Sequence, residues 1–254
     1  MIPVAAKHFR WMPQLLKNLE ELNPPFDEII LVLSGFGPVR FLSACAIVFL
    51  SQVDNIRIRW CPRAGAGRNR NIGWALAKGP LVSFLDADDL YAPHLVATIQ
   101  KTYQEYGFDL MLHSYSLMSE EGELEETLSS WAETGEIQAI PSSELTFGGH
   151  QIRPTTREEE IRDQLGPNLV PEPSKTVAPI HHGHATIRRS LYPKFSYHEQ
   201  ANVRNEDGVL ARDILEAGLK VYFLPARLSA YRQRKPRTKS TWIQLMVRSI
   251  RFSP

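Results

Sequence analysis

Two aspartates separated by one residue are the side chains of this sequence best suited to chemistry. The apolar residues 81–85 follow Gly79-Pro80 and end at Asp86-Ala87-Asp88-Asp89. Side chains of an extended segment alternate in direction, so Asp86 and Asp88 share one side at the carboxyl end of a predicted strand. Mg²⁺ and Mn²⁺ bind carboxylate oxygens and complete their shell with water and substrate phosphates. The spacing at a strand end suits a divalent-cation site, and a capped start of the next helix is the alternative that the spacing alone leaves open.

A second acidic pair, Glu206-Asp207, precedes the amphipathic sequence VLARDILEAG. A carboxylate within hydrogen-bond reach of a hydroxyl group can act as a general base and take its proton as the oxygen attacks. The pair is therefore a candidate for that role, and Glu206 could instead orient substrate hydroxyls or support the helix start. The structural alternative is that Asn205 caps the helix while the two acids complement its dipole.

Alternating strands and helices must position these residues. Apolar strand patterns occur at 2–5, 27–33, 55–60 and 81–85, and a pattern with helical spacing follows each of them. Such alternation predicts an α/β fold with a mainly parallel, doubly wound sheet and right-handed crossovers. Open sheets of this kind bind ligands at the carboxyl ends of their strands, which is where Asp86 and Asp88 are expected.

The pattern is weaker in the middle of the chain. After a predicted strand at 109–118, residues 129–178 are polar and contain several prolines, which is more typical of a functional segment than of core. We therefore interpret 119–180 as an insertion or lid. Regular structure returns at 177–187, 206–216 and 220–224. One domain is predicted over 1–254, with a first half at 1–118, a second half at 181–235 and a tail at 236–254.

Composition excludes several classes of protein. Lys and Arg total 29 against 28 Asp and Glu, so no overall positive field favours binding to nucleic acid. The two cysteines, Cys45 and Cys61, have neither a disulfide framework nor metal-ligand spacing, and a reducing, cytoplasmic location is expected. The apolar run 41–53 is too short to span a bilayer and is interpreted as a buried helix.

The sequences AGAGRNRNIGWALAKGPLVSFLDADDLYAPHL and NEDGVLARDILEAG together resemble the family 2 glycosyltransferases of the GT-A fold. The similarity covers most of residues 1–118 and 180–235. Arg68-Asn69 matches the Arg-Asn that follows the third strand of the family. Asp86 and Asp88 match its D-x-D motif, and Asp207 matches the aspartate of its E-D base motif.

The resemblance implies one Rossmann-like domain whose mainly parallel, mixed sheet is flanked by helices, with an irregular insertion on the acceptor side. It implies an inverting transfer of a sugar from a nucleoside diphosphate sugar to a hydroxyl of a glycan or lipid-linked acceptor, in glycan, polysaccharide or glycolipid assembly. A UDP-sugar is favoured, with GDP and dTDP as alternatives. Mn²⁺ or Mg²⁺ is expected on Asp86 and Asp88, with Arg68 and Asn69 near the nucleotide and Asp207 as the base.

Two segments depart from the family pattern. Residues 33–37, Leu-Ser-Gly-Phe-Gly, replace an acidic D-G-S-like segment that helps to hold the nucleotide base. Arg234 occupies the position of a histidine that can reach the metal and the diphosphate. Arginine cannot ligate a metal, but it pairs well with phosphate, so Arg234 is assigned to the donor.

Histidines and basic residues near the end of the second half leave more than one interpretation. His184, with His181 and His182, suits strand packing or hydrogen bonds to the acceptor better than a zinc site, because no third soft ligand has suitable spacing. The basic residues between 231 and 239 could form a solvated tail, a diphosphate clamp or a contact with an anionic membrane. The last alternative would place the protein peripherally at the inner face of the membrane.

Three other functions fit the sequence less well than a glycosyltransferase does. A sugar-nucleotide nucleotidyltransferase would carry a glycine-rich basic loop after the first strand, where Pro3-Val4-Ala5-Ala6-Lys7 stands instead. A non-catalytic module that binds sugar nucleotides or glycans would tolerate the loss of Asp207, yet this residue is present. A D-x-D phosphatase would need a nucleophilic aspartate after the first strand, and the sequence has none there.

Overall fold

The computed structural model describes residues 1–124, 184–199, 207, 210, 213–214 and 216–233, together with the backbone of five two-residue strands between 140 and 179. The first elements alternate as the sequence predicts. In chain order they are β1 (Ile2–Ala5), α1 (Met12–Glu20), β2 (Ile29–Ser34), α2 (Pro38–Leu50), β3 (Ile56–Cys61) and α3 (Ala66–Leu76). β1, β2 and β3 pair in parallel in that order, which leaves β3 at the edge of the sheet.

The middle of the described chain continues with β4 (Leu81–Phe84), β5 (Leu90–Tyr91), α4 (Leu95–Tyr106) and β6 (Leu110–Met118). Five short strands follow: β7 (Ile140–Pro141), β8 (Thr146–Phe147), β9 (His150–Gln151), β10 (Asn168–Leu169) and β11 (Ala178–Pro179). β12 (Ala185–Arg188) and β13 (Val221–Arg232) complete the strands. Between these two, Asp207, Leu210 and Asp213 are helical. The segment 129–178, interpreted above as a lid, otherwise lies outside the described residues.

The second group of strands has the order β4-β12-β6-β13-β5, with β7 also paired to β13. β12 is antiparallel to both of its neighbours, and β13 is parallel to β6. The backbone of Met1 joins the two groups, because its nitrogen donates to the Ser83 carbonyl at 2.9 Å and its carbonyl accepts from the Leu85 nitrogen at 3.0 Å. The result is a mixed sheet running from β3 to β5, as the fold prediction requires.

Two apolar clusters cover the faces of this sheet. In one, Leu15, Leu16 and Leu19 of α1 pack with α4 and with β2. In the other, Trp74 of α3 contacts Phe84 of β4 with ring centroids 5.6 Å apart. Helices with one apolar face therefore hold both sides of the sheet, which fixes the carboxyl ends of β1, β2 and β4 at a common edge.

Two local predictions need correction. The apolar run 41–53 is not a buried helix: α2 begins at Pro38 and ends at Leu50, and Ala44 is its only fully buried residue. Because β3 is an edge strand, α2 covers the border of the sheet and only one of its sides finds core. β13 is also much longer than the predicted 220–224 and extends to Arg232. In the described part of the chain, no helix has the length and apolar character needed to cross a membrane.

Candidate active site

A cleft of about 1120 Å³ opens at the carboxyl ends of β1, β2 and β4, beside the end of β13. Its described lining has five cationic side chains and three carboxylates, namely Lys7, Arg40, Arg63, Arg70 and Arg232 with Asp86, Asp88 and Asp89. The excess of positive charge is local, because the whole chain is nearly neutral. The cleft therefore suits an anionic ligand at the place where open α/β sheets bind nucleotides.

Asp86 is held in place by an arginine that the motif analysis did not single out. Nη2 of Arg70 donates to the Asp86 carboxylate at 2.7 Å, and the Arg70 side chain is only 5% exposed. The Tyr91 hydroxyl donates to the Asp86 carbonyl at 2.9 Å. Asp86 is thus fixed through both its side chain and its backbone, and its charge is partly balanced by Arg70.

Asp88 lines the cleft opposite the turn that follows β1. Nδ1 of His8 lies 3.7 Å from an Asp88 carboxylate oxygen, so the two form an ion pair when the imidazole is protonated. Both side chains are largely shielded from solvent. The sequence interpretation did not include His8, because a single histidine after a first strand has no distinctive spacing.

Asp89 is buried behind the other two aspartates. One carboxylate oxygen accepts the Arg232 backbone N–H at 2.9 Å, and the other has no hydrogen-bond partner among the described residues. Burial, followed by the negative charge of Asp86, raises the pKa of Asp89 well above its ordinary value. Burial likewise raises the pKa of Tyr91.

Arg232 ties the aspartate loop to two other parts of the molecule. Its Nε donates to the Asp88 carbonyl at 2.6 Å, and its Nη1 donates to the Glu120 carbonyl at 2.7 Å. Its Nη2 donates to the Gln14 side chain of α1 at 2.7 Å. All three guanidinium nitrogens therefore donate hydrogen bonds, and the side chain holds the backbone that carries Asp88 and Asp89.

The Arg68-Asn69 pair is divided between solvent and cleft. Asn69 is buried, lines the cleft and accepts a hydrogen bond from the Cys61 thiol at 3.4 Å. Arg68 is exposed and is not part of the described lining, whereas Arg70, two residues further along and on roughly the opposite side of α3, is. Gly67 explains how α3 is placed: a Cβ there would lie 2.2 Å from the His198 carbonyl oxygen, so only glycine allows this approach.

His184 joins an aromatic cluster that reaches the cleft. Its ring stacks on Tyr115 with centroids 4.5 Å apart, and Tyr115 lies 5.7 Å from Tyr231. Tyr231 lines the cleft next to Arg232. His184 itself is buried, and His113 lies 5.5 Å from it on the neighbouring strand. Flat apolar ring faces with polar edges suit contacts with a sugar ring.

The remaining site predictions are only partly described by the structure. Asp207 is a half-buried residue of the helical segment, and it is not part of the described lining of the cleft. Glu206 and Arg234, like His181 and His182, lie outside the described residues. Their assignments to acceptor, donor and strand packing stay predictions.

The cleft oxygens fit a divalent cation that arrives with a phosphate ligand. Among the described residues, no three carboxylate, imidazole or thiolate groups come together as a ready-made metal cage. Mg²⁺ needs no such cage, because it binds through one or two carboxylates plus waters and substrate phosphates. Asp86 and Asp88 both offer carboxylate oxygens in the lining of the cleft, which is the donor set that such a cation takes.

A model of the family described as glycosyl transferase family 2 matches residues 2–193, about three quarters of the chain. The chain belongs to glycosyl transferase family 2. The matched residues include all three cleft aspartates and end before Asp207. This glycosyltransferase therefore shares with its family most of the residues that line the cleft, while Tyr231, Arg232 and Gln233 lie beyond the match. A search of curated proteins gave no match.

Crystal structures of S. aureus TarS share the fold of this glycosyltransferase. TarS 1–349 in complex with UDP-GlcNAc is 13% identical with a TM-score of 0.55, and the match covers 94% of this chain and 60% of that one. A second TarS structure is 14% identical with a TM-score of 0.58 and coverages of 91% and 36%. The TarS complex with UDP is 13% identical with a TM-score of 0.56, and the match covers 97% of this chain and 62% of that one. The likeness establishes the GT-A fold, and the chain spans less than two thirds of these TarS chains.

Proposed function

We propose that this glycosyltransferase transfers a sugar from a nucleoside diphosphate sugar to an acceptor hydroxyl, with inversion and with the help of a divalent cation. The observation that carries the proposal is the cleft whose lining combines the carboxylates of Asp86 and Asp88 with five cationic side chains. A diphosphate with a bound cation has the charge pattern that such a site complements, since arginines pair with phosphate and carboxylates bind the metal.

The donor site is the best supported part of the proposal. Arg40, Arg63 and Lys7 also line the cleft, so they are available to meet the phosphates. Asn69 would contribute polar contacts from the start of α3, and Arg68 and Arg234 are retained as donor residues on the resemblance alone. UDP is the favoured nucleotide, because the TarS structures of the same fold contain UDP-GlcNAc and UDP.

Asp88, with Asp86, would hold the cation. A bound Mg²⁺ or Mn²⁺ would neutralise charge that develops on the departing diphosphate. The protein contributes the positioning: Arg70 fixes the Asp86 carboxylate and Arg232 fixes the backbone of Asp88. Electrostatic groups that are placed in advance stabilise developing charge without reorganising during the reaction.

Asp207 is proposed as the base that takes the proton of the acceptor hydroxyl, which then attacks the anomeric carbon from the face opposite the leaving group. His184, stacked on Tyr115 next to the cleft, and Glu206 would bind the acceptor. A glycan or lipid-linked acceptor is proposed, and so is a cytoplasmic location. Residues 129–178 are proposed to close over the bound substrates and exclude water.

Isothermal titration calorimetry with UDP, with and without Mn²⁺, tests the proposal. In Asp88→Asn, we expect UDP affinity in Mn²⁺ to fall at least roughly tenfold, towards the metal-free value, because one ligand of the cation is lost. Asp54→Asn changes an exposed carboxylate outside the cleft and should leave the affinity unchanged. Equal UDP affinity in Asp88→Asn and the wild type would remove Asp88 from the site. UDP-sugar binding without turnover of any acceptor would favour the binding-module alternative.

A further inference from the structure

α2 presents an apolar stripe to solvent. Val39, Leu42, Phe49 and Leu50 are 78%, 67%, 87% and 80% exposed, and Ala46 between them is exposed too. At 3.6 residues per turn these positions fall within an arc of about 100°. Ala44, on the opposite side, is fully buried against the core. The exposed stripe therefore lies on the side of α2 that faces away from the core.

Trp60 extends the stripe onto the neighbouring edge strand β3. Its ring is 48% exposed, while its Nε1 donates to the Phe36 carbonyl at 3.0 Å. The apolar part of the indole therefore faces solvent and its polar part is satisfied, as is typical of tryptophan at a boundary between water and an apolar phase. Of the six large apolar side chains exposed in the described residues, five belong to α2 and β3. Contiguous exposed apolar surface marks an interaction site.

Charge around the stripe restricts its partner. The only charged residue of α2 is Arg40, and α2 has no carboxylate. Arg63 is exposed beside Gly35, in the loop that leads towards α2: a Cβ on Gly35 would lie 3.1 Å from the Arg63 Cβ. Near the far end of the helix, Glu20 accepts a hydrogen bond from the Gln52 nitrogen and Asp54 is exposed. An apolar helix face with basic residues beside it is the pattern of helices that lie in an anionic bilayer interface.

We propose that α2 and Trp60 dock the protein on an anionic lipid bilayer. A second copy of the chain is the alternative occupant; a stable dimer buries roughly 20–30 residues of each partner, of which the stripe and Trp60 would supply five large apolar side chains. The tail 234–254 fits less well, since it contains six Arg and Lys residues and no carboxylate. Such a tail would be repelled by Arg40 and Arg63.

Docking has a consequence for the cleft, and this consequence rests on the proposed function. Arg40 and Arg63 also line the cleft, so the bilayer surface would lie next to its mouth. An acceptor anchored in the membrane by a lipid could then reach the donor without leaving the bilayer. Lipid-linked acceptors are therefore favoured over free glycans.

Co-sedimentation with vesicles tests the docking directly. The wild type should sediment with vesicles of phosphatidylcholine mixed with phosphatidylglycerol, and less with phosphatidylcholine alone. In Phe49→Asp/Leu50→Asp, we expect partitioning into the mixed vesicles to fall about tenfold or more, because two inserted side chains become charged. Leu124→Asp is the matched control, since Leu124 is an exposed apolar residue outside the stripe, and it should sediment like the wild type.

Three further measurements separate the outcomes. UDP calorimetry should be the same in Phe49→Asp/Leu50→Asp and the wild type, so that a failure of docking is distinguished from a failure of the proposed function. A chain ending at residue 233 should still bind the mixed vesicles. Loss of binding in that shorter chain, with full binding in Phe49→Asp/Leu50→Asp, would overturn the proposal in favour of the tail. A wild-type dimer in sedimentation velocity that the double substitution dissociates, without vesicle binding, would overturn it in favour of a second copy.

Discussion

Asp89 is a buried carboxyl group whose ionisation the fold opposes. Its pKa is raised by burial and by Asp86, so the neutral carboxyl is favoured in the folded state. In the unfolded chain it ionises near pH 3.8, its ordinary value. The contribution of Asp89 to stability is therefore fully present below that pH and is lost as the pH rises.

Asp89→Asn is expected to unfold at a higher temperature than the wild type at pH 7, because asparagine can still accept the Arg232 N–H and cannot ionise. The difference should shrink as the pH falls towards 4, where the unfolded wild type also becomes protonated. Calorimetric scans between pH 4 and pH 8 measure this. A variant less stable than the wild type at pH 7 would show that Asp89 is an ionised partner of Arg232.

The proposed role of Asp207 as the general base can be tested by a single substitution. If it is the base, Asp207→Asn should keep UDP binding and lose roughly 10²–10⁴-fold in turnover. Asp213→Asn, in the same helical segment, is the control and should keep near-normal turnover. Initial rates with a UDP-sugar and calorimetry with UDP separate the two effects. Loss of stability with normal turnover per folded molecule would favour the helix-capping alternative.

Residues of the cleft could be predicted from the sequence where their signal is local, and not where their role depends on a distant partner. Asp86 and Asp88 were found because their signal is local, a short acidic motif at the end of an apolar strand. Arg70 was missed although it lies only 16 residues from its partner Asp86, since its neighbour Arg68 matched the family motif. Arg232 was predicted only as one of the basic residues between 231 and 239. Its bond to the Asp88 carbonyl was not predicted, because the partner is 144 residues away and no local pattern records such a contact.

Among the elements, β13 controls the geometry of the aspartate loop through Arg232. Arg232→Met keeps much of the side-chain volume but leaves the carbonyls of Asp88 and Glu120 without their donor. We expect a loss of about 2–4 kcal/mol in the free energy of unfolding, since buried acceptors lose their hydrogen bonds. Mn²⁺-dependent UDP affinity should also fall, because the Asp88 backbone is released.

Urea unfolding and UDP calorimetry check both effects of Arg232→Met. Arg232→Lys should recover only part of each, because an ammonium group cannot reproduce the planar fork of the guanidinium. Arg227→Met, on the same strand and outside the described lining of the cleft, should change UDP affinity little. Full UDP affinity in Arg232→Met would show that the aspartate loop is held by other contacts.

α2 shows what periodicity can and cannot predict about an element. The helix itself was expected, since a continuous apolar run of this length is too long for most strands and is more typical of a helix. Its burial was predicted wrongly, because the prediction assumed that apolar residues on every side would all find core. Whether they do depends on the place of β3 in the sheet, and β3 proved to be an edge strand with no further strand beside it among the described residues.

At the scale of the whole molecule, the two predicted halves are interleaved. β12, from the second half, lies between β4 and β6 of the first and pairs with both. The buried hydroxyl of Thr186 shares a hydrogen bond with Ser83 of β4 at 2.8 Å. The sequence predicted the strands of the first half well, because alternation is local. It could not predict that a strand more than 60 residues further along the chain would be inserted between two of them.

Because the two halves are interleaved, we expect neither to fold without the other. A fragment of residues 1–118 should lack a cooperative thermal transition, because without β12 and β13 the strand β6 loses both of its partners and β4 keeps only its contact with Met1. A chain of residues 1–233 retains every described strand and should unfold cooperatively, which makes it the matched control. Circular dichroism at increasing temperature measures both. A cooperative transition in the fragment, together with UDP binding, would show that the donor half is an independent unit and that β12 only adds to a sheet already formed.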